Sequence, residues 1–505
     1  MKQYDLIVVG TGGANIVVDA AQKKGLKIAQ IEKGKFGGTC LTRGCIPTKV
    51  MVTAANAIQE IEEFKQIGVY TSTPKLDWDF MSKRVWHMID ESKDIYEYYN
   101  AFDNVDVYRG TATFVSNKVI KVHMNDGTES EEITAPIIVL GTGGHSNIPN
   151  VPGLQEAGYL SSESLFGDKY PAKPFKSLAI LGAGPIGSEF AHVFDSAGTN
   201  VTIIQRNVRL VPKEDADASE YLLNNYRERG INILLNQTTE EVRVENGKKI
   251  VVTKDRSTGE ITETPVEEIL VATGIRPSVE ELHLENTDIE QHPGGWIKTN
   301  EFLETSVEGI YAMGDVNGEP AFRHRANYEA DIIAHNLFIA KIPEDYRWAR
   351  YDVLPMVTFS YPEIGHVGLT EEEAIKAGYN VGTGKNYYSS TAKGFAMGIT
   401  PQSVNNGFIK IVVDKDTNNI LGVHVAGPQA SILFQPYVNL MNSGNTALKA
   451  INEDIGSART KELRAKGLIR QMDPHSIITV GETMSPHPSL SELAMWTQVF
   501  YENRW

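Results

Sequence analysis

Two cysteines, Cys40 and Cys45, are the residues whose type and spacing most directly suggest chemistry. They are the only cysteines among the 505 residues of the chain, so no thiol is left for a structural bridge elsewhere. In a reducing compartment, two neighbouring thiols are more often catalytic or metal-binding than structural. The pair therefore predicts a redox-active dithiol, with two inert buried thiols as the alternative.

A glycine-rich segment near the amino end predicts a first nucleotide site. Gly10 and Gly12 follow the apolar run 6–9 and precede a helical pattern, so backbone amides and a helix N-terminus can approach a pyrophosphate. Glu32 stands 22 positions after Gly10, where an acidic side chain accepts hydrogen bonds from an adenosine ribose. Asn15 takes the place of the third glycine, and we expect helix and strand to pack slightly further apart there.

A second and complete fingerprint consists of Gly182, Gly184 and Gly187, again between an apolar run and a helical pattern. The strand that follows leads to Arg206 instead of an acidic residue, and Arg209 comes one turn later. Two arginines without a carboxylate suit the 2′-phosphate of NADPH, which an acid would repel. The segment favours NADPH over NADH, and the alternative is that both arginines are solvated surface residues.

Two nucleotide sites and a dithiol suggest an electron relay from a nicotinamide through a flavin to a disulfide. The segment from Gly37 to Lys49 resembles the redox-active segment of the pyridine nucleotide-disulfide oxidoreductases. That family includes dihydrolipoamide dehydrogenase, glutathione reductase, mercuric reductase and mycothione reductase. Further segments resemble the family in the same order along the chain, namely 140–143, 272–274, 305–316, 358–370 and 487–492.

The resemblance implies FAD as the resident cofactor and NADPH, or NADH, as the electron donor. Besides the two fingerprints, it implies that the cofactors contact Gly38, Thr39, Gly143, Gly274 and Asp315. In the family, the aspartate that matches Asp315 holds the ribityl chain of FAD.

The resemblance also implies roles for four catalytic residues. Cys40 exchanges with the substrate disulfide, and Cys45 faces the flavin near a helix N-terminus, where a thiolate should have a lowered pKa. His487 carries the proton of the exchange, and Glu492 orients its imidazole ring. In this family the histidine reaches the disulfide of the other subunit, which implies a catalytically obligatory homodimer.

Lys49 and Glu189 complete the catalytic set that the resemblance implies. In the family these two residues form a salt bridge at the N5 edge of the flavin. A cation at that edge would stabilise the reduced, anionic ring. Without the resemblance, each residue would be interpreted as an ordinary surface charge.

The alternation of short apolar runs with helical patterns predicts an α/β fold. We expect two Rossmann-like domains, one for FAD and one for NAD(P)H, and a C-terminal α+β dimerisation domain. The predicted boundaries are 1–150 for the first part of the FAD domain, 151–278 for the NAD(P)H domain, 279–350 for the continuation of the FAD domain and 351–505 for the dimerisation domain.

Composition narrows the possible partners and location. The formal net charge is −16, which repels nucleic acid and anionic lipid surfaces, so neither is expected as a partner. The first apolar run begins almost at Met1, which leaves no room for a secretory signal, and no run of about 18 apolar residues suggests a membrane span. We therefore expect a soluble, cytoplasmic protein, and no metal site is predicted.

The function predicted from the sequence is FAD-dependent reduction of a low-molecular-weight disulfide by NAD(P)H, as in mycothione reductase. The alternatives are an NAD-linked dihydrolipoamide dehydrogenase running in the reverse direction, a flavin-dependent metal or quinone reductase, and a docked scaffold subunit. No cysteine follows Cys45, which disfavours mercury handling and the high-molecular-weight thioredoxin reductases. The stretch 445–480 is longer than expected, and we predict helices there with Leu463 and Leu468 as buried contacts.

Overall fold

The first fingerprint strand, Leu6–Val9, lies inside an eight-stranded sheet in the computed structural model, which describes residues 1–448, 455–472, 479 and 482–488. This strand is fully buried and pairs in parallel with one neighbour on each side. A strand that is covered on both faces needs continuous apolar residues, which this run supplies. In sheet order the strands are Lys2–Gln3, Ile133–Thr134, Val119–Met124, Val105–Ser116, Ile28–Glu32, Leu6–Val9, Ile137–Leu140 and Ile310–Ala312.

Helices cover this first sheet and carry the dithiol. Val17 and Val18 of the first helix share a buried cluster with Ile332 and Ile333 of the last helix of this layer. Asp77 caps the longest helix by accepting a hydrogen bond from the backbone N–H of Phe80 at 3.0 Å. The helices are Asn15–Lys23, Gly38–Thr42, Cys45–Glu63, Trp78–Asn100 and Arg323–Phe338.

The second fingerprint belongs to a separate sheet of four parallel strands. In sheet order these strands are Asn232–Leu234, Asn200–Ile204, Ser177–Leu181 and Glu268–Val271. Helices Pro185–Ser196 and Ala216–Glu228 accompany them. A three-stranded antiparallel sheet follows in the chain, made of Gln237–Glu245, Lys248–Asp255 and Ile261–Val266.

The chain crosses between the first and second sheets twice, and the two crossings pair with each other. Gly144–Ser146 runs antiparallel to Ile275–Pro277. Short helices and 3₁₀ turns lie in the connections along the chain. They are Leu154–Ala157, Ser162–Leu165, and the 3₁₀ turns Phe64–Ile67, Glu280–Leu282, Leu284–Asn286, Gly314–Asn317, Pro343–Asp345 and Tyr388–Ser390.

An antiparallel five-stranded sheet, here called the C-terminal sheet, follows from residue 356. Its strands in sheet order are Met356–Thr358, Ile364–Gly368, Ile420–Ala426, Phe408–Asp414 and Val381–Tyr387. Its helices are Glu371–Lys376, Ala392–Ala396, Ala430–Leu433 and Gln435–Asn442. The change from parallel to antiparallel pairing completes a mixed α/β architecture, as predicted.

The long stretch before His487 contains one described helix and a strand pair. Gly444–Ala447 pairs antiparallel with Ile469–Met472, and the helix Ala458–Ala465 lies between them. Leu463 is buried against Phe302 and Trp348, and Leu468 packs at the edge of that cluster. One described helix and the buried Leu463 agree with the prediction, whereas Leu468 is only partly buried and the strand pair was not predicted.

None of the helices described is both long enough and apolar enough to span a membrane.

Candidate active site

The dithiol lies where two helices meet at a sharp turn. Cys40 is in the helix Gly38–Thr42, and Cys45 is the first residue of the helix Cys45–Glu63. The turn requires glycine at position 44, because a Cβ there would lie 2.8 Å from the carbonyl oxygen of Thr39. Both cysteines are free thiols, Cys40 buried and Cys45 partly buried.

The pKa values of the two thiols are shifted in opposite directions. A hydrogen bond from Cys40 lowers the pKa of the Cys45 thiol to about 6, helped by the charges of His487, Lys49 and Arg323 and opposed by burial. The same hydrogen bond, together with burial, raises the pKa of the Cys40 thiol well above its ordinary value. The directions of these two shifts favour Cys45 as the thiolate of the pair, which is the role that the family resemblance implies.

This difference predicts the pH dependence of cysteine alkylation. In a Cys40→Ser variant the hydroxyl can still donate to Cys45, so the alkylation rate of Cys45 should rise with pH around a midpoint near 6. In Cys40→Ala the donor is lost, and the midpoint should move up toward the ordinary thiol value. Iodoacetamide labelling followed by mass spectrometry measures both midpoints, because each variant has one cysteine. Equal midpoints in the two variants would contradict the role of the hydrogen bond.

His487 contacts Cys40, the thiol that we expect to exchange with the substrate. Its Nε2 atom is 3.2 Å from the Sγ atom of Cys40 in the same chain. The family resemblance implied contact with the other subunit's disulfide, and within this single chain the histidine contacts its own Cys40. Glu492, the predicted partner of His487, lies outside the described residues.

The described residues before His487 contact loops of the same chain. Arg464 donates two hydrogen bonds to the buried carboxylate of Glu301, at 2.7 and 2.5 Å. Thr460 donates to Glu304 at 2.8 Å. Further along, Glu482 forms an ion pair with Arg347, with its Oε1 atom 3.0 Å from Nε. These buried charge-assisted bonds hold the segment to the loops after the first sheet.

A cavity of about 450 Å³ lies beside Cys40 and His487 and extends to Gly12 of the first fingerprint, so part of it belongs to the predicted cofactor cradle. Polar side chains contribute to its lining, and three of them were not predicted from the sequence: Asp19, Arg323 and Asn327. Asp19 accepts a hydrogen bond from the Tyr99 hydroxyl at 2.8 Å, and burial raises the pKa of its carboxyl group. The Oδ1 atom of Asn327 is buried and has no hydrogen-bond partner among the residues described. No sequence motif marks these residues, because the helices Asn15–Lys23 and Arg323–Phe338 come together only in the fold.

Lys49 and Glu189 form the ion pair that the resemblance implies. The Lys49 ammonium group lies 2.6 Å from Oε2 of Glu189, and both side chains are largely buried. The other carboxylate oxygen of Glu189 accepts from the backbone N–H of Phe359 at 3.0 Å. The pair joins the dithiol helix to the helix of the second fingerprint.

The first fingerprint forms a cradle that fits a pyrophosphate. A Cβ at Gly10 would lie 2.3 Å from the carbonyl oxygen of Gly141, and a Cβ at Gly38 would lie 2.6 Å from the Cα of Gly12. The backbone segments around these glycines therefore approach each other closely, and side chains at these positions would fill the space that the pyrophosphate of FAD needs. At the edge of this cradle, the Glu32 carboxylate accepts a hydrogen bond from the hydroxyl of Thr11 at 2.8 Å. Asn15 accepts a hydrogen bond from Gln30 at 2.9 Å, which ties the helix back to the neighbouring strand.

The predicted flavin residue Asp315 lies on a well-anchored turn. Its carboxylate is 3.9 Å from the buried Arg325 guanidinium, and burial raises its pKa. Glu329 fixes the turn by accepting from the backbone N–H of Gly314 at 2.6 Å. Nearby, the hydroxyl of Thr142 is buried without a partner among the described residues, which leaves a hydrogen-bonding group available to a cofactor. Two other predicted cofactor residues are accessible: Gly143, with open space at its Cβ position, and Thr39, which is exposed.

The second fingerprint shows a distinct structural role for each glycine. A Cβ at Gly182 would lie 2.4 Å from the carbonyl oxygen of Ala272, and a Cβ at Gly187 would lie 2.0 Å from that of Gly182. At Gly184 nothing lies within 4 Å of the Cβ position, so this face is open to a ligand. Gly274 is similarly open and has a φ of +101°. The first and third glycines therefore serve close packing, and the second serves ligand approach.

This division of roles predicts opposite effects of two alanine substitutions. Gly187→Ala forces the helix away from the strand and should lower the free energy of unfolding by about 1–3 kcal/mol. Gly184→Ala should leave the thermal midpoint unchanged and raise KM for the coenzyme, because the added methyl group occupies the open face. Thermal unfolding and steady-state kinetics test both. A wild-type KM for Gly184→Ala would contradict the assignment.

The two predicted 2′-phosphate ligands differ in their surroundings. Arg206 is exposed, whereas Arg209 makes two hydrogen bonds to the Glu372 carboxylate, at 3.1 and 2.6 Å. The expectation of two arginines without a neighbouring acid is therefore wrong at Arg209. Glu372 is distant in sequence and is brought there by the helix Glu371–Lys376. Only the folded chain reveals this pairing.

Comparisons with known proteins agree with this geometry. Residues 4–330 match the family described as pyridine nucleotide-disulphide oxidoreductase, and residues 354–460 match its dimerisation domain. The chain is 32% identical to a mercuric reductase of Staphylococcus aureus over 85% of this chain and 75% of that protein. It is 30% identical to the dihydrolipoyl dehydrogenase of Bacillus subtilis over 97% and 96% of the two chains.

A solved structure is similar over nearly the whole length. It is the Cu(II) complex of the HOCl-induced flavoprotein disulfide reductase RclA from Escherichia coli. The two share 25% identity and superpose with a TM-score of 0.74, covering 99% of this chain and 100% of the other.

Proposed function

The chain belongs to the pyridine nucleotide-disulphide oxidoreductase family, whose members use FAD and NAD(P)H, and on that premise we propose that it reduces a low-molecular-weight disulfide with electrons from NADPH. The electrons pass through FAD to the pair Cys40 and Cys45. The match of residues 354–460 to the dimerisation domain supports a homodimer.

One observation carries this proposal, namely the contact of Cys40 with His487 beside the acidic thiol of Cys45. A thiolate at a helix N-terminus and a thiol with a histidine base at 3.2 Å are what thiol–disulfide exchange needs. A scaffold subunit has no use for this arrangement.

The chemistry that bound FAD supplies is transfer of an electron pair from the nicotinamide to the Cys40–Cys45 disulfide. The chain's own residues then carry out the exchange. His487 takes the proton of Cys40, whose raised pKa makes a base necessary, and the Cys40 thiolate attacks one sulfur of the substrate. The first product leaves as a thiolate and takes that proton from the imidazolium group.

The second half of the exchange restores the protein disulfide. The Cys45 thiolate attacks Cys40, and the bond between Cys40 and the remaining half of the substrate breaks. That half leaves as a thiolate and takes a proton from solvent. The sum is one disulfide and one NADPH, with a proton, converted to two thiols and NADP⁺.

The cavity beside Cys40 supports a small polar disulfide as the substrate. Asp19 and Arg323 offer charges of both signs, and the unpaired Oδ1 of Asn327 can accept a hydrogen bond from an amide or amine. Disulfides of small peptides or of thiol-bearing metabolites such as mycothiol carry such groups, and a purely apolar acceptor would leave them unsatisfied.

The exposed Arg206 supports NADPH as the coenzyme. Arg206→Ala should raise KM for NADPH roughly tenfold or more, because a charge-assisted hydrogen bond contributes about 1.5–3 kcal/mol, and leave KM for NADH unchanged. Arg209→Ala is the matched control, since its guanidinium is bound to Glu372. Parallel titrations with both coenzymes measure the ratio. A larger effect at Arg209 than at Arg206 would contradict this assignment.

A substrate panel tests the proposed function. Purified FAD-loaded protein is assayed with oxidised lipoamide, glutathione, coenzyme A and mycothiol disulfides, each with NADPH and with NADH. We expect NADPH-dependent turnover with one small polar disulfide. Turnover with NAD⁺ and reduced lipoamide alone would identify a dihydrolipoamide dehydrogenase instead, and inactivity toward every disulfide would refute the proposal.

A metal-ion reductase is the second candidate, and one observation favours it. Donor atoms of Cys40, Cys45 and His487 all lie within 4.8 Å of one another, a thiolate–imidazole set that suits soft metal ions. One relative is named a mercuric reductase, and the similar RclA structure is a Cu(II) complex. NADPH oxidation that depends on Cu(II) or Hg(II), and is faster than with any disulfide, would favour this candidate.

A further inference from the structure

A second group of metal-ligating side chains lies far from the dithiol, between the second sheet's helices and the C-terminal sheet. It consists of Glu214, His366 and His424, whose exposed fractions are 6%, 5% and 0%. One donor atom from each lies within 4.8 Å of the others. The mechanism above uses none of these residues.

The fold places these side chains together by strand register. His366 and His424 are direct partners on the antiparallel strands Ile364–Gly368 and Ile420–Ala426, so their side chains share one face of the sheet. Glu214 comes from the loop before the helix Ala216–Glu228, which packs against that face. The group therefore joins two layers of the molecule.

The hydrogen bonds leave one nitrogen without a partner. His424 Nε2 lies 3.0 Å from the carbonyl oxygen of Leu369, and because a carbonyl only accepts, Nε2 carries the hydrogen. The Nδ1 atom of His424 therefore carries a lone pair and no hydrogen. It is buried and has no hydrogen-bond partner among the described residues. On the other side, Nδ1 of His366 and Oε2 of Glu214 are 2.6 Å apart. An unsatisfied acceptor beside a histidine–carboxylate pair is costly without a ligand.

We propose that Glu214, His366 and His424 bind a divalent transition-metal ion of the zinc class. Two imidazoles and one carboxylate are a common ligand set for such ions. Ligating histidines typically donate their other ring N–H to a backbone carbonyl, as His424 does to Leu369. Tetrahedral bonds of about 2.0–2.2 Å place the donors roughly 3.4 Å apart, so Nδ1 of His366 and Oε2 of Glu214 must separate by roughly 1 Å while the donor of His424 moves closer to them. The ion replaces the proton shared by Glu214 and His366, which is released to solvent.

The surrounding charges favour a cation. Lys410 is the cross-strand neighbour of His424, and its ammonium group is bound by three carboxylates, those of Asp215 at 2.9 Å, Asp217 at 2.8 Å and Glu371 at 2.6 Å. A bound ion would fix the loop that follows Arg209 to the C-terminal sheet. We assign it a structural role, because the site is closed to solvent.

The test must exclude the dithiol as a competing metal site. Full-length, FAD-loaded protein with Cys40→Ser and Cys45→Ser is stripped with a chelator and titrated with Zn²⁺ and with Co²⁺. We expect one ion per chain, a higher thermal midpoint with Zn²⁺, and Co²⁺ absorption without a sulfur charge-transfer band. Glu214→Gln in this background should weaken binding at least about tenfold, and His424→Ala should abolish it.

Controls decide between this site and other sites. His283→Ala removes an exposed histidine that contacts Glu285 at 2.7 Å and should not alter zinc binding. Circular dichroism and FAD retention show whether each variant folds, and the conservative Glu214→Gln decides the matter if His424→Ala does not. No bound zinc in the dithiol-free protein, or equal binding in the Glu214 variant, would overturn the proposal. These readouts need no turnover, so they stand apart from the proposed reductase activity.

Discussion

Cys45→Ser is expected to lower kcat for NADPH-dependent disulfide reduction by at least about 10³-fold, because the variant cannot resolve the mixed disulfide formed at Cys40. The chain has no third cysteine to take over this step. Cys40→Ser should have an equally large effect, since it removes the sulfur that attacks the substrate. Steady-state assays with the disulfide found by the substrate panel measure both losses.

The control for this prediction is an acceptor that does not need the dithiol. Quinones take electrons directly from a reduced flavin, so quinone reduction by NADPH should persist in both serine variants. Mass spectrometry of Cys45→Ser after turnover should also show substrate attached to Cys40. Disulfide turnover within tenfold of wild type in either variant would show that electrons bypass the pair.

The parts of the site that were predictable from the sequence are those whose residues lie close together along the chain. Cys40 and Cys45 are near neighbours, and Gly182, Gly184 and Gly187 mark one strand–helix turn. In each of these groups the sequence spacing determines the relative positions of the residues, because a helix turn or a tight loop fixes them. The α/β class followed for the same reason, from the local alternation of apolar runs and helices.

The parts that were not predictable depend on contacts between distant segments. Glu372 neutralises Arg209 from a helix of the C-terminal sheet, and nothing near Arg209 in the sequence indicates that carboxylate. Asn327 lines the cavity beside Cys40 because its helix packs on Asn15–Lys23. Such pairings follow from tertiary packing, which a local pattern does not encode.

His487 shows where a family resemblance and the structure diverge. The motif around it identified the residue, and its contact with Cys40 agrees with the implied chemistry. The implied source of the residue, the other subunit, does not follow from the motif, because it depends on the path of the preceding segment. Glu482 is held by Arg347 of the same chain, and the five residues from there to His487 span at most about 18 Å. From these contacts within one chain, we predict active sites that are each complete within one chain.

Mixed dimers should reveal this arrangement. A heterodimer of one Cys40→Ser chain and one His487→Ala chain contains no chain with both residues intact. If each site belongs to one chain, this heterodimer should be as inactive as the two parent homodimers. If the histidine crossed between subunits, one site would pair an intact Cys40 with an intact His487, and about half of the wild-type activity would return.

The reciprocal heterodimer should give the opposite result, so it serves as a control for a general loss of activity in mixed dimers. It combines a wild-type chain with a chain that carries both Cys40→Ser and His487→Ala. An intrachain site leaves the wild-type chain complete, with about half of the activity of the wild-type dimer, whereas an exchanged histidine leaves both sites defective. Two affinity tags used in sequence isolate each heterodimer, and its turnover per FAD is compared with the homodimers. Activity in the first mixture and its absence in the second would refute the intrachain arrangement, and the reverse pattern is the one that the anchoring of residues 455–472 by Glu301 and Glu304 predicts.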